Sequence, residues 1–113
     1  MKNLILLGVL FVSSLFVSVS FARGDKVAGE EKVKQVCQAC HGLDGMGIND
    51  TYPKLAGQFA DYMVVALSDY KSGARKNAIM SGFAATLSEK DIEDVAAYYS
   101  QLTENRLKNL SIK

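Results

Sequence analysis

Cysteine and histidine are scarce in this chain, and every copy falls within five positions: Cys37-Gln38-Ala39-Cys40-His41. Two thiols at this spacing can add across the two vinyl groups of one porphyrin. The imidazole that follows can ligate the iron of the same porphyrin. One short turn would then supply two covalent anchors and an axial ligand, and C-x-x-C-H is the attachment signature of a c-type haem. Other chemistries fit less well. A disulfide between Cys37 and Cys40 would close a very short loop and stabilise little. A thioredoxin-type pair needs a βαβ setting, which this sequence lacks. A structural zinc ion takes four ligands, whereas Cys37, Cys40 and His41 make three. An open zinc site of two Cys and one His stays conceivable, although such ligands normally come from separated segments. Covalent haem on Cys37 and Cys40, with His41 on the iron, is the expectation.

The N-terminus bears on where that chemistry happens. Lys2 precedes an apolar run from Leu4 to Val19, and Ser20-Phe21-Ala22 puts small residues at −3 and −1 of a cleavage site before Arg23. Residues 1–22 read as a secretory signal peptide and residues 23–113 as one mature domain. The alternative is an uncleaved anchor, since Leu4 to Ala22 is long enough to span a bilayer. The serines at 13, 14, 18 and 20 and the Ser-x-Ala ending favour cleavage. An oxidising compartment could also oxidise the cysteine pair, so export alone does not decide between haem and disulfide.

Lys2 is the one charged residue of the signal, and its loss takes the 13 basic residues to 12 against 12 acidic ones. A mature chain with net formal charge near zero gives no reason to expect a nucleic-acid partner. A domain this small has a limited core and often needs a staple. A covalently held porphyrin would provide one.

The elements that must position the motif read as all-α. A first helix is expected from about Lys26 to Val36, running straight into the motif. Gly29 inside it costs about 1 kcal/mol relative to alanine, which suggests close approach of another helix. The segment after His41 is rich in breakers: Gly42, Asp44, Gly45, Gly47, Asn49 and Asp50. A second helix is expected over about 59–71, with Phe59, Tyr62, Met63, Val65, Ala66 and Tyr70 as its apolar stripe and Gly73 as its C-terminal cap. A last helix starts at Ser88, whose side chain can form a capping box with Asp91. Ile92, Val95, Ala96, Tyr99 and Leu102 recur along it at helical spacing. The chain is polar from Thr103, and no stretch alternates like a strand.

The ordered set of Gly29, Cys37-x-x-Cys40-His41, Pro53, a later Met and the final helix resembles a class I c-type cytochrome of the small single-domain bacterial type. Tyr52-Pro53-Lys54-Leu55-Ala56-Gly57-Gln58 and Lys71-Ser72-Gly73-Ala74-Arg75 are similar to either half of the bacterial dihaem cytochromes c. The resemblance implies about three main helices packed around one covalently attached haem c. It implies haem attachment outside the cytoplasmic membrane, and contact between Gly29 and an aromatic of the last helix, here Tyr98. Val33 stands where the first helix of relatives usually carries an aromatic. Pro53, twelve residues after His41, is implied to offer its carbonyl to the proximal imidazole.

With no second histidine, a methionine is the expected sixth ligand, and Met with His raises the potential of a cytochrome c. Met46 lies too close to His41 to reach the opposite face. Met63 sits in an amphipathic helix, where methionine is usually core. Met80 is expected in a loop between the second and last helices, able to cross the distal face, and relatives carry their ligand shortly before the Leu-Ser matched here by Leu87-Ser88. Met80 is therefore the expected partner of His41 on the iron. Phe59, Tyr62, Tyr70, Phe83 and Tyr99 are expected as core and haem-pocket lining. Lys54, Lys71, Arg75, Lys76 and Lys90 read either as a basic rim for an acidic partner or as ordinary solvated charges.

The function expected is that of a periplasmic monohaem electron carrier between redox partner proteins. It would be monomeric, without a membrane span after cleavage, and not an enzyme. The alternatives are a haem-bearing subunit of a periplasmic oxidoreductase complex, and a haem enzyme or gas-binding module with an open sixth site. The lack of a distal histidine argues against peroxidase-like chemistry.

Overall fold

The computed structural model describes residues 24–102. The secretory segment expected over 1–22 and the polar tail from Thr103 lie outside them. The described residues form five helices: α1 (Lys26–Val36), α2 (Gln38–His41), α3 (Ala60–Ser72), α4 (Ala78–Ala84) and α5 (Glu89–Ser100). No strand occurs among them. The three main helices are α1, α3 and α5, as expected.

Helix α1 starts where the Asp25 carboxylate accepts the N–H groups of Val27 and Ala28, at 2.8 and 3.3 Å. It lies against α5, and Gly29 is the point of closest approach. A methyl group built on Gly29 would overlap the Asp94 carbonyl oxygen and stand 2.9 Å from the Tyr98 Cβ. Glycine is there because no side chain fits between the two backbones. The Asp94 carboxylate is buried beside this crossing. It accepts the Asp25 N–H at 2.7 Å and both oxygens take the Lys90 ammonium, at 2.8 and 2.9 Å. Lys90 is thus tied to its own helix and joins no rim. Val33, with 0 % of its surface exposed, lies in the core with Met63, Val95, Ala96, Tyr98 and Tyr99.

Helix α5 begins with the capping box read from the sequence. The Ser88 hydroxyl accepts the Asp91 N–H at 3.0 Å, and the Asp91 carboxylate accepts the Ser88 N–H at 2.9 Å. The backbone bond from Ser88, more than any other partner, holds the Asp91 carboxyl below its usual range. Lys32 on α1 reaches the same carboxylate at 3.4 Å.

Two expectations need correction. Met80 is not in a loop. The Asn77 side chain accepts the N–H groups of Ile79 and Met80, at 3.1 and 3.0 Å, and starts a short helix there. This α4 packs on α3, and the Lys71 ammonium donates to the Leu87 carbonyl, fastening α3 to the turn before α5. Phe59 is not core. It is the residue before α3, 72 % exposed.

Replacing Gly29 by Ala forces α1 and α5 apart. Overpacking of this kind costs about 1–3 kcal/mol, which for a domain of this size lowers the thermal midpoint by roughly 4–24 °C. Gly82→Ala is the matched control, because a methyl there meets nothing within 4 Å and helix propensity favours alanine by up to about 1 kcal/mol. Calorimetry should find the first variant lowered and the second level or raised. Equal midpoints for the two would refute the close crossing.

Candidate functional site

The motif occupies a bend. Cys37 ends α1, with its N–H on the Val33 carbonyl at 2.9 Å, and its own carbonyl accepts the His41 N–H at 3.0 Å. Helix α2 is that single turn, and it puts Cys37, Cys40 and His41 on the wall of one cleft of about 330 Å³. The thiols are not joined. Burial pushes the Cys37 thiol up to about 11, against the pull of the Lys32 ammonium.

His41 is buried, and its Nδ1 stands 3.0 Å from the Pro53 carbonyl oxygen. A carbonyl only accepts, so Nδ1 carries the hydrogen. The Nε2 lone pair is then free for a metal, with ring and tautomer both fixed. Tyr52 meets the imidazole edge-on, with centroids 6.2 Å apart.

The segment that delivers Pro53 is held at several points. Gly47 and Ile48 donate to the carbonyls of His41 and Cys40, at 2.7 and 3.0 Å. The Gly45 carbonyl accepts from Leu55 and Ala56, at 2.7 and 3.0 Å. Gly45 has φ 68°, and a Cβ there would stand 2.7 Å from the Ala56 nitrogen and 3.0 Å from the Tyr99 ring. Helix α5 clamps the segment with two hydroxyls: Tyr98 donates to the Leu43 carbonyl at 2.8 Å and Tyr99 to the Gly42 carbonyl at 2.9 Å. Burial raises both phenols above their ordinary range.

Tyr62, Tyr70, Phe83 and Tyr99 line the cleft as the sequence suggested, and Phe59 does not. Of the three candidate methionines, Met63 and Met80 line it and Met46 does not. Among the five basic residues, Lys54 and Arg75 line it. Lys76 is exposed elsewhere, and Lys71 and Lys90 are engaged as described above. The five do not form a rim. No sequence pattern announces that the Arg75 guanidinium donates to the Tyr62 hydroxyl at 3.0 Å and lies 4.9 Å over the Tyr70 ring.

The donor set suits a haem better than a bare ion. No three His, Cys, Asp or Glu side chains among the described residues are grouped to hold a metal directly, so the open zinc arrangement is not assembled. Two thiols and one imidazole with Nε2 free instead share the wall of an apolar cleft with two thioethers. That matches a flat macrocycle with two vinyl groups and an iron at its centre.

Comparison with known proteins agrees. The sequence model of the family described as Cytochrome c matches residues 22–103. The chain is similar to cytochrome c-554(548) of Halomonas halodenitrificans, 48 % identical over 80 residues, which cover 68 % of this chain and 95 % of that protein. It is similar to cytochrome c4 of Pseudomonas aeruginosa, 39 % identical over 98 residues, covering 87 % of this chain and 48 % of that one. A solved cytochrome c4 structure from Acidithiobacillus ferrooxidans superposes with a TM-score of 0.63 at 31 % identity, over 72 % of this chain and 52 % of that one. The chain spans about half the length of these cytochrome c4 relatives.

The clamp from α5 can be tested alone. Tyr99→Phe removes one hydroxyl and leaves the Gly42 carbonyl with the Gly45 N–H, at 3.2 Å, as its remaining donor. Losing one such hydrogen bond costs about 0.5–1.5 kcal/mol. Chemical denaturation should show a lower midpoint at unchanged slope. An unchanged midpoint would mean that the bond to Gly42 does not hold the segment.

Proposed function

The chain belongs to the cytochrome c family, and from that premise we propose that it is exported to the periplasm and carries electrons singly between redox partners, with His41 and Met80 on the iron. Its fold is that of the class I c-type cytochromes, its cofactor is covalently bound haem c, and it is an electron-transfer protein. Bound haem supplies the one-electron Fe(III)/Fe(II) couple. The observation that carries the finer reading is the His41–Pro53 bond at 3.0 Å, in a cleft that Cys37, Cys40 and Met80 also line.

Each residue then has a role. Cys37 and Cys40 form the thioethers. Pro53 orients His41 and, by accepting its Nδ1 hydrogen, makes Nε2 the better donor. Two thioethers line the cleft, those of Met63 and Met80, and either could supply a second ligand to the iron. Met63 is part of the buried core with Val33, Val95 and Tyr99. Met80 is only partly buried, on the first turn of α4 and outside that core. Its thioether is the one free to turn toward an iron, while its backbone is fixed by Asn77. With His41 and Met80 both holding the iron, no site would be left on it for a substrate, which favours a carrier over an enzyme. Export rests on the signal-like residues 1–22 and on the need for haem attachment outside the cytoplasm. No helix among the described residues is long and apolar enough to cross a membrane.

Protein exported by a strain competent in haem attachment should start at or near Arg23. Its intact mass should exceed that of residues 23–113 by one haem, and its band on a denaturing gel should stain for haem. A colourless band would overturn covalent attachment, and a start at Met1 in the membrane fraction would make residues 4–22 an anchor.

Met80→Ala should abolish the weak long-wavelength band of a ferric methionine–iron bond and let carbon monoxide bind the ferrous protein. It should lower the potential by on the order of 0.1 V, within the roughly 0.8 V over which axial ligands tune haem. Met63→Leu should keep band and potential, at a stability cost below about 1.5 kcal/mol. The reverse pattern would make Met63 the ligand. Rapid carbon monoxide binding by the unaltered protein would replace the carrier with an open-site haem protein.

A further inference from the structure

Pro53 is not the only residue of its segment that meets the imidazole. Tyr52, just before it, brings its ring against His41, with centroids 6.2 Å apart and planes at 70°. Both side chains line the cleft. The backbone holds the pair together. The Tyr52 N–H donates to the Asn49 carbonyl at 3.2 Å, and the Asn49 side chain accepts the Thr51 N–H at 2.9 Å. Gly47 ties the two residues to each other. Its N–H donates to the His41 carbonyl at 2.7 Å. Its φ is 77°, and a Cβ on it would stand 2.7 Å from the Tyr52 carbonyl oxygen. A residue before proline is pushed toward extended conformations, so the Tyr52 ring and the Pro53 carbonyl reach His41 as one stiff unit.

An imidazole bound to iron through Nε2 keeps one freedom, rotation about the iron–nitrogen bond. The hydrogen bond from Nδ1 opposes that rotation only softly, because a carbonyl oxygen accepts over a broad range of directions. A ring packed against the imidazole opposes it by contact, and an aromatic pair at this separation and angle is itself favourable. The rotation matters to an electron carrier. The plane of an axial imidazole bears on which iron d orbital holds the unpaired electron of the ferric state. One plane gives one such orbital, whereas a spread of planes gives several, with different overlap toward a partner. We propose that Tyr52 is a positioning residue that fixes the plane of the His41 imidazole over the haem, while Pro53 fixes its tautomer. This rests on haem occupying the cleft with His41 on its iron. The contact is made by the ring, so the Tyr52 hydroxyl is dispensable for it.

The test uses the ferric holoprotein, read by electron paramagnetic resonance and by the proton shifts of the haem methyl groups. Both follow the plane of the axial imidazole. Wild type should give one low-spin signal and nuclear Overhauser contacts between the Tyr52 and His41 rings. Tyr52→Leu keeps apolar bulk and loses the flat ring. It should shift or split the low-spin signal and change the spread of the methyl shifts. It should keep the methionine–iron band, because the opposite face is untouched. Tyr52→Phe should keep the wild-type signal and methyl pattern. Phe59→Leu, which removes an exposed ring outside the cleft, should keep them too. The inference is overturned if Tyr52→Leu retains the wild-type signal and pattern or loses the methionine–iron band. It is equally overturned if Tyr52→Phe or Phe59→Leu departs as far as Tyr52→Leu. Absence of contact between the two rings in wild type also overturns it, and their presence or absence is decided even where a variant fails to take up haem. The reading of the site fails separately, by absence of covalent low-spin haem in the wild type.

Discussion

Two backbones meet at Gly29 with no room for a side chain, and the rest of the described structure follows from that contact. It fixes the height of α5 against α1. Because α5 cannot slide, Tyr98 and Tyr99 arrive where their hydroxyls reach the carbonyls of Leu43 and Gly42. Those bonds, together with the Gly57 N–H on the Tyr99 carbonyl at 2.9 Å, hold both ends of the segment between His41 and α3. Pro53 lies within it, so the placement of its carbonyl against the imidazole is set by residues remote in sequence. A long irregular segment would otherwise be the most mobile part of so small a domain. Here it is bound to α5, the helix with the most buried residues.

The cofactor belongs to this packing as much as to the chemistry. The buried cluster of Val33, Met63, Val95, Ala96, Tyr98 and Tyr99 lies on one side of the cleft. Tyr62, Ile79 and Phe83 line the same cleft while remaining strongly exposed in the protein alone. Large apolar groups turned toward an open cleft leave apolar surface in water, at about 25 cal/mol per Å². A haem held in the cleft would cover that surface and help to complete the limited core of a chain of this length. Phe59 and Val65 are exposed outside the cleft, and the haem does not account for them.

What the sequence made legible was local. The bounds of α1, the Ser88–Asp91 box, the Gly73 cap and the meaning of Gly29 each depend on neighbours within a turn or on one residue type with one physical use. The motif was legible because all the thiols and the single imidazole of the chain sit in it. The missed features are of another kind. Helix α4 has seven residues, too few for a period to emerge, and its signal was the lone cap Asn77. The bonds from Tyr98 and Tyr99 span 55 and 57 residues, so no pattern in either partner announces them. Phe59 fitted an apolar stripe, but it precedes the helix, and a stripe orients only residues inside one. Lys90 could have been removed from the basic set at once, since Asp94 stands four residues on and such pairs face each other on a helix.

For the one-electron role proposed, rigidity is itself functional. Each transfer changes the charge at the centre by one unit, and polar groups that must move in response add to the barrier. Groups already held in place cost no such reorganisation. Nearest the proposed iron, the imidazole is pinned by Pro53, the backbone of Met80 by Asn77, and the segment between motif and α3 by the tyrosines of α5. Each of these constraints comes from a different part of the chain. A mutation that leaves both proposed ligands untouched can therefore still alter how readily an electron moves, by loosening Gly42, Gly45 or the α1–α5 crossing on which their placement depends.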